Sequence, residues 1–248
     1  MQIENIRKKV KGKGQMNFSL AQEITDVIIK NNVQHILQLG FRQGVSTCYM
    51  AGALDELGRG FITSIDLVKT KNFEPNVEVL LKDLGLDKIV NILYEQTSYI
   101  WRLMKMIDED PTPRFDLCFI DGAHDWFTDG FAFYLVDRLL KLNGVIIFND
   151  LDWSYERSKE LKNSERVKKM PLDEKRTHQV RKVYELLVKP HPAYGRFETK
   201  NGWAYAYKIF EEKSYNEYRI KKEIIYENDL LGLKGTIKKI GRKIDNKH

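Results

Sequence analysis

The chain has 248 residues, 42% hydrophobic and 31% charged, enough to bury one sizeable core with short appendages. It contains no apolar run of about 18 residues, and the basic opening MQIENIRKKVKGKG has no apolar stretch behind it, so neither a membrane span nor a leader is expected and a cytoplasmic protein is. The net charge of +6 collects at the two ends, in RKKVKGKG and in KGTIKKIGRKIDNKH, where solvated termini are the first reading and weak contact with a phosphate or membrane surface the second.

In chain order, FSLAQEITDVIIKN (18–31) has helical spacing, and HILQLGF (35–41) is a short buried strand that breaks at Gly40. GVSTCYMAGALDEL (44–57) reads as a helix, GFITSIDL (60–67) as the second strand, and EPNVEVLLKDLGL (74–86) as a helix with Gly85 near its end. IVNILYEQTS (89–98) is the third strand with its exit loop, followed by the helix YIWRLMKMIDED (99–110). After DPTPR, where prolines forbid helix, FDLCFID (115–121) is the fourth strand. WFTDGFAFYLVDRLLKL (126–142) is a helix stopped by Asn143-Gly144, and GVIIFND (144–150) is the fifth strand.

Beyond it, 152–180 is long and polar, of the kind that forms lids and acceptor pockets at the rim of an α/β domain. VRKVYELLVK (180–189) returns to helical spacing, and Asn201-Gly202 between β-prone runs signals a hairpin. Cys48 and Cys118 lie in apolar segments without ligand spacing, which fits core positions in a reducing compartment.

Five strands alternating with helices predict an α/β, doubly wound, Rossmann-like domain: a mostly parallel sheet with helices on both faces and an antiparallel C-terminal edge hairpin. The expected organisation is a basic segment and helix over 1–30, the main domain over 31–210, and a basic, helical tail over 211–248. In such sheets ligands sit outside the carboxyl ends of the strands, so residues at strand ends carry the chemistry.

The first exit, LQLGFRQGVS, has Gly40 and Gly44 four apart, matching neither the dinucleotide fingerprint nor the phosphate loop. The second strand delivers Asp66, an acid placed to accept the hydroxyls of a ribose. The fourth ends on Asp121-Gly122, with His124 three residues on, and the fifth delivers Asp150 beside Asp121. Two carboxylates converging in this way repel unless a cation or proton intervenes. Asp125, just before the helix, reads as its N-cap.

The ordered set ILQLGFRQGVST, ITSID, EQTS, FDLCFIDGAH and LNGVIIFND resembles the class I S-adenosylmethionine-dependent methyltransferases, specifically the small-molecule O-methyltransferase branch of catechol-type and macrolide-sugar enzymes. The resemblance covers about 33–150, and it agrees with the edge hairpin. It implies that Gly40, Gly44 and Ser46 wrap the methionine part of the cofactor, that Asp66 binds its ribose, and that Gln96, Thr97 and Ser98 lie beside its adenine. It implies magnesium at Asp121, Asn149 and Asp150, Asp121 also meeting the cofactor, and His124 as general base.

Two positions depart from the family pattern. Gln38 stands where an acid is usual, so attraction toward the charged part of the cofactor is reduced. Asn149 stands where His, Asp or Glu is frequent, with Asp152 as a possible substitute. The expected activity is methyl transfer to a hydroxyl of a small molecule, a sugar, glycosylated or phenolic metabolite, by a chain that can also form a homo-oligomer. A nucleic-acid methyltransferase is second, favoured by the basic ends and disfavoured by IDGA where a base-gripping Pro-Pro-aromatic stretch would stand. A non-catalytic binding protein of the same fold is third.

Overall fold

The computed structural model describes residues 2–14 and 16–210, and the tail expected over 211–248 lies outside the described residues. Seven strands, β1 (His35–Leu39), β2 (Phe61–Leu67), β3 (Val90–Glu95), β4 (Phe115–Ile120), β5 (Leu140–Phe148), β6 (Tyr194–Lys200) and β7 (Trp203–Lys208), form one sheet in the order β3-β2-β1-β4-β5-β7-β6. The ladders from β3 through β5 are parallel, and β7 runs antiparallel to both β5 and β6. The chain leaves β1 toward β2 on one side and later returns to place β4 on the other. The carboxyl ends of β1 and β4 therefore flank the switch point, where an open α/β sheet has its ligand crevice.

Side chains alternate across each strand and so feed two cores. Ile36, Leu117, Phe119, Val145 and Ile147 face one side, where they pack with α1 (Gln2–Val10), α2 (Phe18–Lys30), α3 (Val45–Glu56) and α4 (Val77–Leu84). Leu37, Leu39, Cys118, Ile120, Ile146 and Phe148 face the other, against α5 (Tyr99–Glu109), α6 (Trp126–Leu139) and α9 (Gln179–Val183), which continues as a π-helical turn over Tyr184–Val188. Both cysteines are buried and free. Strands buried on both faces read as unbroken apolar runs, which is why they stand out in the sequence.

Helix boundaries follow local chemistry. Asn17, Asn76, Ser98 and Asp125 each accept from a backbone N–H of the first turn of α2, α4, α5 and α6, and Gly85 ends α4 in the left-handed conformation. The hairpin turns on Asn201 (φ 53°) and Gly202 (φ 81°), as the sequence predicts. The polar run after β5 contains two short helices, α7 (Glu165–Lys169) and α8 (Leu172–Arg176), around a small core of Tyr155, Val167 and Met170.

Two expectations are corrected. The helix expected to reach 142 stops at Leu139, and 140–142 already belong to β5. Leu140 is wholly buried opposite Phe115, Lys141 Nζ lies 2.9 Å from Asp116 Oδ1, and Arg114 N donates to Leu139 O, so pairing with β4 captures residues whose spacing alone fits helix. At the other end the basic start forms α1, whose Ile6 and Val10 belong to the same core as α3. The spacing of Ile3, Ile6 and Val10 is the signal that the flanking lysines obscure.

Candidate active site

The turn after β1 is built against the exit of β4. Gly40 has φ 85°, and a Cβ there would lie 2.5 Å from Gly122 Cα and collide with the Asp121 carbonyl. Asp121 N donates to Leu39 O (2.8 Å) and Gly40 N to Ile65 O (2.8 Å). Only glycine permits this approach. At the far side of the turn, Gly44 (φ 90°) opens α3, and a Cβ on it would stand 2.6 Å from Val77 Cβ.

Asp66 holds the turn itself. Its Oδ2 accepts from Phe41 N (2.7 Å) and Arg42 N (2.6 Å), and its Oδ1 from Leu67 N (2.6 Å). Gln38 is wholly buried beneath. Its Nε2 donates to Ser46 Oγ (2.8 Å) and Gly40 O (3.2 Å), and its Oε1 accepts from Thr47 Oγ1 (2.8 Å) and Ser64 Oγ (2.9 Å). A carboxylate could not donate to the Gly40 carbonyl, so the amide at this position is explained by a network that needs a donor and an acceptor on one side chain. Gln38 and Ser46 thus support the turn from within the core. At the exit of β3, Gln96 and Thr97 are exposed, while Ser98 accepts from Ile100 N (3.1 Å) as the cap of α5.

At the exits of β4 and β5 three groups meet. Asp121 Oδ1, His124 Nε2 and an Asp150 oxygen lie within 4.8 Å of one another. His124 Nε2 is 3.4 Å from Asp121 Oδ1 and 3.1 Å from Asp150 Oδ2, yet it is buried and makes no aligned hydrogen bond. Asn149 Nδ2 donates to Asp121 Oδ1 (2.8 Å). His124 (φ 57°) and Asp150 (φ 56°) both adopt the left-handed backbone conformation that L-residues rarely take, a frequent mark of functional sites. The imidazole stacks on Trp153, with ring centres 5.2 Å apart and planes 25° from parallel.

The electrostatics follow from this packing. Burial opposes a charge on His124, but Asp121 and Asp150 together outweigh it and push the imidazole from 6.5 up to about 10. Burial pushes Asp121 above the usual carboxylate range, against the pull of His124 and with the repulsion of Asp150. The converging carboxylate oxygens of Asp121 and Asp150 are a donor pair that fits a divalent cation and suits magnesium, with the imidazole nitrogen of His124 beside it.

A model described as a methyltransferase domain matches residues 37–151, the stretch from β1 to the exit of β5. Residues 37–151 carry the signature of a methyltransferase domain. Among solved structures, the chain is similar in fold to an O-methyltransferase from Bacillus cereus in complex with SAH, at 17% identity over 84% of this chain and 90% of that one, TM-score 0.58. TomG from Streptomyces achromogenes, an O-methyltransferase involved in tomaymycin synthesis and solved with SAM, matches at 14% identity over 84% and 90%, TM-score 0.58. The SAH-bound methyltransferase PaMTH1 from Podospora anserina matches at 13% over 85% and 88%, TM-score 0.60. No curated protein matches the chain. No helix among the described residues is long and apolar enough to cross a membrane.

Asp152 does not supplement the cluster: it pairs with Arg181 (2.5 Å) and lies 3.6 Å from His178 Nδ1. Trp153 escapes a reading of the sequence, because an aromatic in a polar loop has no periodicity to place it. Tyr99 and Asp129, which pack behind the cluster, escape it because both read as ordinary helix residues.

Proposed function

We propose that this methyltransferase transfers a methyl group from S-adenosylmethionine to a hydroxyl of a small molecule, with a divalent cation such as magnesium and with His124 receiving the hydroxyl proton. The observation that carries the reading is the direct abutment of the Gly40 turn on Asp121, which supports a common role for that turn and the acid–imidazole cluster. The similar proteins from Bacillus cereus and Streptomyces achromogenes are O-methyltransferases, which supports the oxygen acceptor.

S-adenosylmethionine, when bound, supplies a methyl already activated on a sulfonium, so the protein's task is to place an oxygen nucleophile in line with it. The Gly40–Gly44 turn offers backbone at close range for the methionine part, and Asp66, already fixing that turn, stands at the end of β2 where a ribose would reach it. Asp121 and Asp150 would hold the cation, Asn149 orienting Asp121 through its amide. A divalent cation, when bound, lowers the pKa of a coordinated hydroxyl.

His124 then has a defined part. With both carboxylates bare, it is a cation near neutral pH and cannot take a proton. A cation held by Asp121 and Asp150 would offset the charge that keeps the proton on His124, and the neutral imidazole would then be available as base. Trp153 holds the ring face-on and walls the acceptor side. The test is a comparison of wild type with His124→Ala: S-adenosylmethionine should bind both equally in calorimetry, while methylation of a hydroxylated metabolite pool should fall by about 100-fold or more. Full-rate methylation by His124→Ala would remove the proposed base.

A further inference from the structure

The turn that carries the catalytic cluster is itself under constraint: His124 holds a left-handed backbone conformation without being glycine, and its neighbour Gly122 is crowded from behind. The crowding group is Tyr99, at the start of α5. Its Cε1 lies 2.5 Å from where a Gly122 Cβ would be, and its hydroxyl accepts from Ala123 N (3.3 Å). The same hydroxyl donates to Asp129 Oδ1. Asp129 stands in the first turn of α6, 1% exposed, and forms no ion pair with a Lys or Arg among the described residues. A buried acid in this setting is costly unless its partners are well placed.

We propose that Asp129 and Tyr99 form a positioning pair that fixes the Gly122–His124 backbone, and through it the imidazole of His124 relative to Asp121 and Asp150. The inference rests on the reading of that cluster as the catalytic site. Neither residue touches the cluster's side-chain donors. Asp129 orients the Tyr99 hydroxyl, the hydroxyl accepts the Ala123 amide, and the ring fills the space behind Gly122, so the two residues that lead into His124 are braced by one element pair. The Tyr99 hydroxyl donates its one hydrogen bond to the Asp129 carboxylate, which leaves its oxygen free to accept from Ala123 N. The position needs this brace because a left-handed histidine survives only where its surroundings over-determine it.

The test uses Tyr99→Phe, which keeps the ring behind Gly122 and removes the hydroxyl, with Asp129→Asn beside it. Three quantities are read on the full chain: the His124 imidazole signals in NMR spectra, assigned by their loss in His124→Ala; magnesium affinity by calorimetry; and SAH affinity. A positioning role predicts displaced His124 signals in Tyr99→Phe, magnesium binding weakened by about tenfold or more, and unchanged SAH affinity. A merely stabilising role predicts a lower melting temperature with His124 signals and magnesium affinity as in wild type, and that result would overturn the proposal. If Asp129→Asn fails to fold, Tyr99→Phe decides alone. If wild type binds no magnesium, the metal part of the functional reading fails, and the His124 signals still decide: displaced, they support the pair; unmoved, they dispose of it.

Discussion

At the scale of single residues, the chemistry is set by what each buried polar group is given to bond. Gln38 satisfies three hydroxyls and a carbonyl at once, so Gln38→Leu should leave Ser46, Thr47 and Ser64 without that partner and cost about 3 kcal/mol, read as a lowered denaturation midpoint. His124 has a folded-state pKa raised from 6.5 to about 10. Its stabilising contribution in the metal-free protein is therefore fully present below about pH 6.5 and is lost as the pH rises through about 10. Thermal melts of metal-free wild type and His124→Gln should differ most at the acid end of that window and converge at its alkaline end. A difference that grows with pH would contradict the charged imidazole. Asp121, His124 and Asp150 were legible in the sequence because buried strands carry their ends to the rim whatever else the fold does. The Asn149 amide, the Trp153 stack and the Tyr99–Asp129 pair were not, because each depends on contacts between residues about 28 or more apart in the chain, which no local pattern encodes.

At the scale of elements, turns and caps decide where the functional groups are delivered. Gly40→Ala would force a Cβ against Asp121 while demanding a left-handed backbone from alanine, so it should abolish S-adenosylmethionine binding in calorimetry and lower the melting temperature together. Asp125, whose Oδ1 accepts from Thr128 N at 2.7 Å, caps α6, the helix that follows the Gly122–His124 turn. Asp125→Ala should cost about 1 kcal/mol in chemical denaturation, with S-adenosylmethionine affinity unchanged. This cap was readable, as were Gly85 and the Asn201-Gly202 hairpin, because capping and turn chemistry are local. The end of α6 was not. Its last apolar residues fit a helix by spacing and were taken instead by pairing with β4, a tertiary choice that overrides periodicity.

At the scale of the whole molecule, the sheet order places two independent pieces of machinery at one switch point: the glycine turn of β1, and the acid–imidazole cluster at the ends of β4 and β5. The alternation of strands and helices made the doubly wound architecture legible, since buried parallel strands leave unbroken apolar runs and crossovers need helices. It also fixes a distance relation that neither piece shows alone. The most direct measurement is the relaxation of the 13C-labelled methyl group of bound S-adenosylmethionine, with manganese(II) as a paramagnetic stand-in for magnesium. A shared crevice predicts strong manganese-dependent relaxation of that methyl, abolished in Asp121→Asn. A methyl that binds yet does not respond to manganese, or a response that survives the loss of both Asp121 and Asp150, would show that donor and cluster do not meet.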